Sequence, residues 1–516
     1  MNSQKFYSPQ VYSQFKSEMH GLRIVLLSKV TPFDQYKTKA LVDRLIQRIT
    51  EIGLTPYFKH CAVKDGNDDS SANGKLNLSG VEFNSKAATV NISLKLLLQS
   101  ILEFHLHWFH GLLYAIRSLV TTKQPKGSAS LVFGVGVENL IVEGNDFRFI
   151  DYCKSGPITP LKDCQRRIVQ LAQMRVSTNT SFIEYARFPL FALILGNPIS
   201  FSIFIKLLVQ HTKVGLLYWL AIIRFPALSL LARDFAYHAI ACHLNDKNLI
   251  DSTVVTNSNY SAQPLWMNHL PKRNFKTHMV WYAQNTISIA YKDDPVKASL
   301  PNYDYIQVDT HWVWTQDYAD YLVSLGISSE VNVVGPIVWH LPAKGSHRKK
   351  KNPNEFVVSV FDVTPVNKEY AEAIGLYGNY YSLDNMLGFF KAIEKLKLEF
   401  EESNIKVRVL LKHKRYFNPK HANEYITYVN AAVDNGVVEL VDSQTNLYSL
   451  ILASDVVLSV PYSSPVYIAD YLSVPAIFYD PTQNVFPIYN PTKFVDFASG
   501  YEELSLKAKK LFREDL

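Results

Sequence analysis

Apolar and polar positions along this chain follow two periods, and its second half shows them most regularly. After residue 354, NEFVVSVFDVTP forms a continuous apolar strand, and SLDNMLGFFKAIEKLKLEF has helical spacing behind a capping serine, Ser382. IKVRVLLK is the next strand, HANEYITYVNAAVDNG a helix closed by Gly436, VVELVD a short strand and NLYSLILASD a helix. DVVLSVPYSS, PVYIADYLS and PAIFYD continue as strand, helix and strand, the helix opening on Pro465. Strict alternation of this kind predicts a parallel sheet with right-handed crossovers.

The first half carries the same signals less evenly. Residues 21–30 (GLRIVLLSKV) are expected as a strand and 38–53 (TKALVDRLIQRITEIG) as a helix ended by Gly53, the opening of a doubly wound domain. A polar, turn-rich loop is expected at 64–80, and further strands at 128–136, 252–259, 277–285, 303–309 and 331–339. The stretch HLPAKGSHRKKKNPN holds proline, glycine and cations with little apolar content, which marks a linker. The predicted organisation is an N-terminal domain over 1–340 with a helical insertion at about 160–250, a linker at 341–354 and a C-terminal domain over 355–516.

Composition bounds the picture. At 516 residues and 47% hydrophobic, the chain exceeds the size at which one core stops growing, so an α/β protein of two domains is expected. The net charge of +7, from 53 basic and 46 acidic residues, suits anionic substrates or a membrane surface and lacks the concentrated footprint of a nucleic-acid binder. Cys61, Cys153, Cys164 and Cys242 form no CxxC pair, so neither a disulfide framework nor a zinc site is indicated and a reducing cytosol is the expected compartment. The opening MNSQKFYSPQ has no basic region leading into an apolar core, and no secretory signal is expected.

Two apolar tracts, 92–120 and 188–232, are broken by polar residues before reaching the roughly 18 to 20 apolar residues of a bilayer-spanning helix. They are expected as helices buried in the N-terminal domain. The alternative is helices lying in the interface of the inner membrane, a peripheral contact with their cations reaching outward.

Candidate chemistry concentrates at two strand ends. IKVRVLLK runs into KHKRYFNP, and DVVLSV runs into PYSSP. Loops at the carboxyl ends of parallel strands line the ligand crevice of an open α/β sheet, and cations with paired hydroxyls there suit a phosphate-bearing ligand. Lys412, His413 and Arg415 would supply charge; Ser463, Ser464 and the amides opening the next helix would supply neutral donors. Asp362 and Thr364, at the end of the strand after the linker, complete the phosphate- and donor-binding set.

On these motifs the C-terminal half resembles the donor-binding domain of GT-B glycosyltransferases, and the whole chain resembles bacterial surface-polysaccharide transferases of that architecture. KHKR followed by YSSP is similar to the basic and serine motifs of transferases that use CMP-activated acidic sugars, of sialyl and Kdo type, although His413 is followed by Lys414 where those families have proline. The resemblance implies two Rossmann-like doubly wound domains facing a cleft, with the extra apolar helices in the N-terminal half. It also implies a nucleotide-sugar co-substrate with no resident cofactor, and a glycan or lipid-linked acceptor.

Before the linker, VDTHWVWTQDYADYLVSLG resembles the last strand and helix of the N-terminal domain in such transferases, leading to a Gly-Pro crossing point in VVGPIVW. Asp309, His311, Trp314 and Thr315 would then lie at a strand end facing the cleft, with His311 a candidate general base. Packing of a His-Trp pair is the competing account. FGVGVENLIVEGNDFRFIDYC places Glu138 and Asp146 as candidate acidic bases of the kind related sialyltransferases carry. The aromatic and amide-rich stretch 256–285 suits either acceptor recognition or ordinary packing of Trp266, Trp281 and Tyr282. A P-loop, a complete dinucleotide fingerprint, GxSxG, HExxH and a metal-binding DxD are all missing.

The expected function is therefore metal-independent glycosyl transfer from a nucleotide-activated donor, CMP-sugar favoured, to a cell-surface polysaccharide or lipid-linked glycan. A CDP-polyol phosphotransferase of teichoic-acid type, or a non-catalytic sugar- or nucleotide-binding protein of envelope assembly, are the alternatives.

Overall fold

The structure, a computed structural model, describes residues 9–30, 37–64, 75–78, 80–84, 89–122, 124–135, 148–162, 167–171, 183–186, 188–256, 263–270, 272–283, 289–293, 305–339, 342, 347–348, 355–374, 380–413, 416–443, 445–487 and 492–514. Two parallel sheets organise it, so the predicted α/β class with two doubly wound units is what the chain adopts.

The amino-terminal region is helical. α1 (Pro9–Lys29) and α2 (Thr38–Lys64) replace the expected strand at 21–30 and the expected helix stop at Gly53. The apolar cluster of Ile24, Val25, Leu26 and Leu27 suggests a strand locally. The longer register decides: Phe15, Met19, Leu22, Leu26 and Val30 recur at three or four residues and are all buried in the cluster shared with α2. A small antiparallel sheet follows, β1 (Lys75–Leu78), β2 (Val81–Asn84) and β3 (Thr89–Ile92), so the last part of the expected loop at 64–80 is a strand. α3 (Leu94–Val120) covers the first apolar tract, opened by Ser93, whose Oγ accepts from the Leu96 amide.

The first parallel sheet has the order β11-β10-β8-β7-β4-β5-β6. Its strands are β4 (Ala129–Phe133), β5 (Arg167–Leu171), β6 (Ile183–Ala186), β7 (Ile250–Thr256), β8 (Lys276–Val280), β10 (Thr310–Val313) and β11 (Glu330–Val333), with β9 (Ala290–Tyr291) lying outside it. The expected strand at 303–309 is corrected to β10, because Asp309 holds the entry to the strand rather than its end. α4 (Arg148–Ser155) and α5 (Thr159–Lys162) join β4 to β5. α6 (Pro189–Leu195), α7 (Phe201–Arg224), a short 3-10 turn and α8 (Ala232–Asp246) form the helical insertion before β7, and α9 (Leu265–His269) and α10 (Gln316–Ser324) complete this half.

α3 and α7 run side by side in opposite directions over α8. Phe104 stacks on Tyr218 at 3.9 Å, while further along α3 the Trp108 indole N–H donates to the His211 carbonyl at 2.9 Å. Gly111 permits this approach, since a Cβ there would sit 2.9 Å from Ile240 Cδ1 and 3.2 Å from His211 Cε1. The expectation that both apolar tracts are buried holds for α6 and the 3-10 turn of the second tract, and for one side only of α3 and α7.

The second parallel sheet has the order β14-β13-β12-β15-β16-β18. In chain order it runs β12 (Glu355–Phe361), α11 (Lys368–Ile374), α12 (Leu383–Glu402), β13 (Lys406–Lys412), α13 (Asn423–Asp434), β14 (Glu439–Val441), α14 (Leu447–Leu452) and β15 (Val456–Ser459). α15 (Ser464–Tyr471), β16 (Ala476–Asp480), β17 (Val485–Phe486), β18 (Val495–Ser499) and α16 (Tyr501–Glu514) follow. Ser382 caps α12 as expected, accepting from the Asn385 amide. PAIFYD is not the last strand, since β18 continues the sheet beyond it.

Among the described residues, three contacts tie the two halves. β9 pairs antiparallel with β17, and the Lys292 ammonium donates to the Gln483 carbonyl at 2.7 Å. After β11 the chain crosses at Gly335, in the left-handed region at φ 78°, beneath the Tyr471 ring, and the Pro336 carbonyl accepts from Tyr448. Trp339, fully buried, meets Phe149, Tyr152 and Tyr282 in one apolar cluster that also holds Ile451, Val466 and Tyr467 of the C-terminal half. Most of the expected linker, 341–354, lies outside the described residues.

Candidate functional site

β12 is the hinge of the second sheet's topology. The chain builds β13 and β14 on one side of it, then returns to lay β15, β16 and β18 on the other. Ligands of open α/β sheets bind at such a switch point, outside the carboxyl ends of the strands. Register places Phe361, the last residue of β12, opposite both Lys412 of β13 and Ser459 of β15. With neighbouring strands about 4.8 Å apart, the loops leaving β13 and β15 flank the end of β12 at a separation of about 10 Å. Asp362 and Thr364 leave β12, His413 leaves β13, and Ser463 and Ser464 leave β15, so five of the residues singled out in the sequence gather at one edge.

Asp362 is the centre of this edge. Its side chain is fully buried, and its Oδ2 accepts from Tyr425 Oη at 2.6 Å and Thr364 Oγ1 at 3.4 Å and meets His413 Nδ1 at 2.9 Å. Burial, and then the neighbouring Asp362 charge, push the Tyr425 hydroxyl well above its ordinary range, so it stays protonated and donates. A carboxylate on Nδ1 fixes the imidazole's orientation and leaves Nε2 as its working atom. Nε2 of His413 and Oδ1 of Asp362 are both buried without a hydrogen-bond partner among the described residues. Tyr425, on α13, was not legible as a member of this site; its only signal is a position 12 residues after His413 on the helix that follows.

Lys412 is nearly buried, and its ammonium donates to the Ser443 carbonyl at 2.5 Å, which joins the ends of β13 and β14. Arg415 lies outside the described residues. Beyond β15, Tyr462 adopts φ 62°, a conformation uncommon for a residue with a Cβ, and is anchored by its buried ring and by donation to the Phe486 carbonyl at 3.1 Å. Ser463 then occupies the N-cap position of α15 without using its hydroxyl as a cap. An ordinary helix cap is therefore not what Ser463 provides.

The residues proposed in the first half fall differently. Glu138 and Asp146 lie outside the described residues, in the segment that follows β4. His311 is inside β10 rather than at a strand end, fully buried, stacked on Trp281 and accepting its indole N–H at 3.0 Å. Burial lowers its pKa to about 4. The packing account of the His-Trp pair is the one observed. Asp309 sits at the amino end of β10, paired with Arg273 at 2.6 Å, and Trp314 and Trp281 pack in the interior, linked by an indole bond of 2.6 Å to the Trp281 carbonyl. Trp266 is likewise buried.

A cavity of about 830 Å³ opens at the amino ends of β10 and β11, lined by Lys16, Arg23, Asp43, Arg273 and Asp309, away from the switch-point edge. Its Arg23–Asp43 and Arg273–Asp309 pairs are internally compensated. Among the described residues no group of three or more His, Cys, Asp or Glu side chains is arranged to hold a metal ion.

Residues 216–507, more than half of the chain, match the model of a family described as polysaccharide biosynthesis PFTS motif protein. No curated protein matches. Among solved structures, the wall teichoic acid polymerase TagF is similar at 12% identity and a TM-score of 0.39, over 81% of this chain and 90% of that one. TarM is similar at 12% identity and 0.34, over 54% and 51%. Phytolacca americana UGT2, complexed with UDP-2fluoro-glucose and pterostilbene, is similar at 11% identity and 0.35, over 76% and 94%.

Proposed function

Because the chain belongs to the polysaccharide biosynthesis PFTS motif protein family, we propose that it is a glycosyltransferase that moves a sugar from a nucleotide-activated donor to a cell-surface polysaccharide or lipid-linked glycan. The observation that carries the reading is the switch-point edge, where the Asp362–His413 pair and the serines opening α15 flank one strand end. The segment Pro461-Tyr462-Ser463-Ser464, which leads from β15 into α15, lies within the residues 216–507 that match the family.

In glycosyl transfer the acceptor hydroxyl oxygen bonds to the anomeric carbon, the bond from that carbon to the nucleotide phosphate breaks, and the electron pair leaves on the phosphate. Donors already aimed at that phosphate lower the barrier. Ser463 offers its hydroxyl and α15 the positive end of its dipole, beside the His413 imidazole held through Nδ1. Arg415 adds charge, while Lys412 supports the site by fixing the β13 and β14 ends through Ser443. The acceptor proton goes to a carboxylate of the segment after β4, Glu138 or Asp146.

Cytidine nucleotides are the first donors to test, on the likeness of KHKR and YSSP to the motifs of CMP-sugar transferases. The test is a melting-temperature screen of the full chain against CMP, CDP, UDP and GDP, since a ligand selective for the native state raises apparent stability. Isothermal titration of the double substitution Ser463→Ala, Ser464→Ala follows. One nucleotide should bind, and the double variant should lose at least about tenfold in affinity, about 1.4 kcal/mol. Unchanged affinity removes the β15 loop from the site, and phosphodiester formation from a CDP-polyol would replace glycosyl transfer as the reaction.

A further inference from the structure

The two long helices over α8 both turn an apolar stripe outward. Along α3 the residues turned inward are Ser100, Phe104, His107, Gly111, Ala115 and Ser118; Ser118 donates to the carbonyls of Ile194 and Asn197, and His107 Nδ1 meets Tyr237 Oη at 3.0 Å. The residues turned outward include Leu94, Leu98, Leu102, Leu106, Phe109 and Leu113, spaced at three or four along one stripe. α7 carries a second outward stripe, Phe201, Ile205, Val209, Leu216, Leu220 and Ile223, in addition to an inward face of Leu207, Val214, Tyr218 and Ile222. Exposures on the two stripes run from 37% at Leu113 to 75% at Ile223. A helix facing water places such residues inward, and soluble surfaces rarely carry so continuous an apolar area without a partner.

The charges say what the partner is. Lys95, Arg117, Lys206, Lys213 and Arg224 are exposed along these helices, whereas their only acidic residue, Glu103, is paired with Arg233. An apolar face set among cations complements an anionic lipid surface, into which leucine side chains sink while lysine and arginine reach the headgroups. A second copy of the chain would bring the same five cations against themselves. Among the described residues no helix is long and apolar enough to cross a membrane, and Lys213 stands in the middle of α7. We propose that the exposed faces of α3 and α7 form one docking surface that lies on an anionic bilayer. This site is independent of the nucleotide edge and is read without any activity.

The experiment is flotation of the purified full chain with vesicles of phosphatidylcholine alone or of phosphatidylcholine with phosphatidylglycerol. The wild type should float with the anionic vesicles and bind neutral ones at least about tenfold more weakly. Leu102→Glu with Leu220→Glu should stay in the soluble fraction at an unchanged melting temperature, because both side chains are exposed, and Lys206→Glu with Lys213→Glu should lose the preference for anionic lipid. Equal flotation of wild type and the leucine variant, equal binding to both vesicles, or no flotation at all would overturn the proposal. So would a dimer, seen by sedimentation velocity, that the same glutamates dissociate without any lipid binding.

Discussion

The Asp362–His413 contact can be weighed by a double-mutant cycle. Asp362 is fully buried and His413 is 8% exposed, so their 2.9 Å bond is screened from solvent. Asp362→Asn keeps the shape but removes the charge: its carbonyl oxygen can take the Oδ2 place, so the bonds from His413 and Tyr425 then go to a neutral acceptor, and its amide N–H lies where Oδ1 has no partner among the described residues. His413→Ala leaves the carboxylate with Tyr425 at 2.6 Å and Thr364 at 3.4 Å. A bond to a charged group contributes about 1.5–3 kcal/mol, so each single change should cost about 2 kcal/mol, the alanine somewhat more for the cavity it opens. If both report the same bond, the double variant should cost about 1–2 kcal/mol less than their sum, a factor of about 5–30 in the folding equilibrium. The cavity enters both corners containing alanine and cancels. The assay is urea unfolding of the four proteins at neutral pH, followed by titration of each with the nucleotide that stabilises the wild type. Additivity within about 0.5 kcal/mol in unfolding would refute the coupled pair.

Two further outcomes follow from other parts of the structure. His311 is neutral in the fold with its pKa lowered to about 4 from 6.5, so its contribution is complete above pH 6.5 and is lost as pH falls through about 4. That window corresponds to about 3 kcal/mol, and His311→Gln, which keeps an acceptor for the Trp281 indole, should flatten the wild-type loss of stability across it; an identical pH profile would contradict the assignment. Gly335→Ala places a Cβ 3.0 Å from the Tyr471 ring at a left-handed φ of 78°, so it should destabilise by about 1–2 kcal/mol in calorimetry, and a neutral result would show that the crossing relaxes freely.

Much of the C-terminal half was legible because buried parallel strands are continuous apolar runs and their helices are amphipathic, so each element announces itself over a few residues. KHKR and PYSSP could therefore be placed at strand ends from the order of elements alone. The amino-terminal region was not legible in the same way. Over 21–30 the local run resembles a strand, and only the spacing back to Phe15 and the packing against α2 make it a helix. Whether a side chain is a cap, a core group or a ligand depended on neighbours distant in the chain. Trp281 lies 30 residues from His311 and turned a proposed base into a packing residue. Tyr425 completes the environment of an aspartate 63 residues away. Pattern along the chain determined which faces are apolar, since side-chain direction follows from local period. Tertiary structure decided which of those faces are covered, because burial is a property of what packs against a face, and on α3 and α7 nothing in the described protein does.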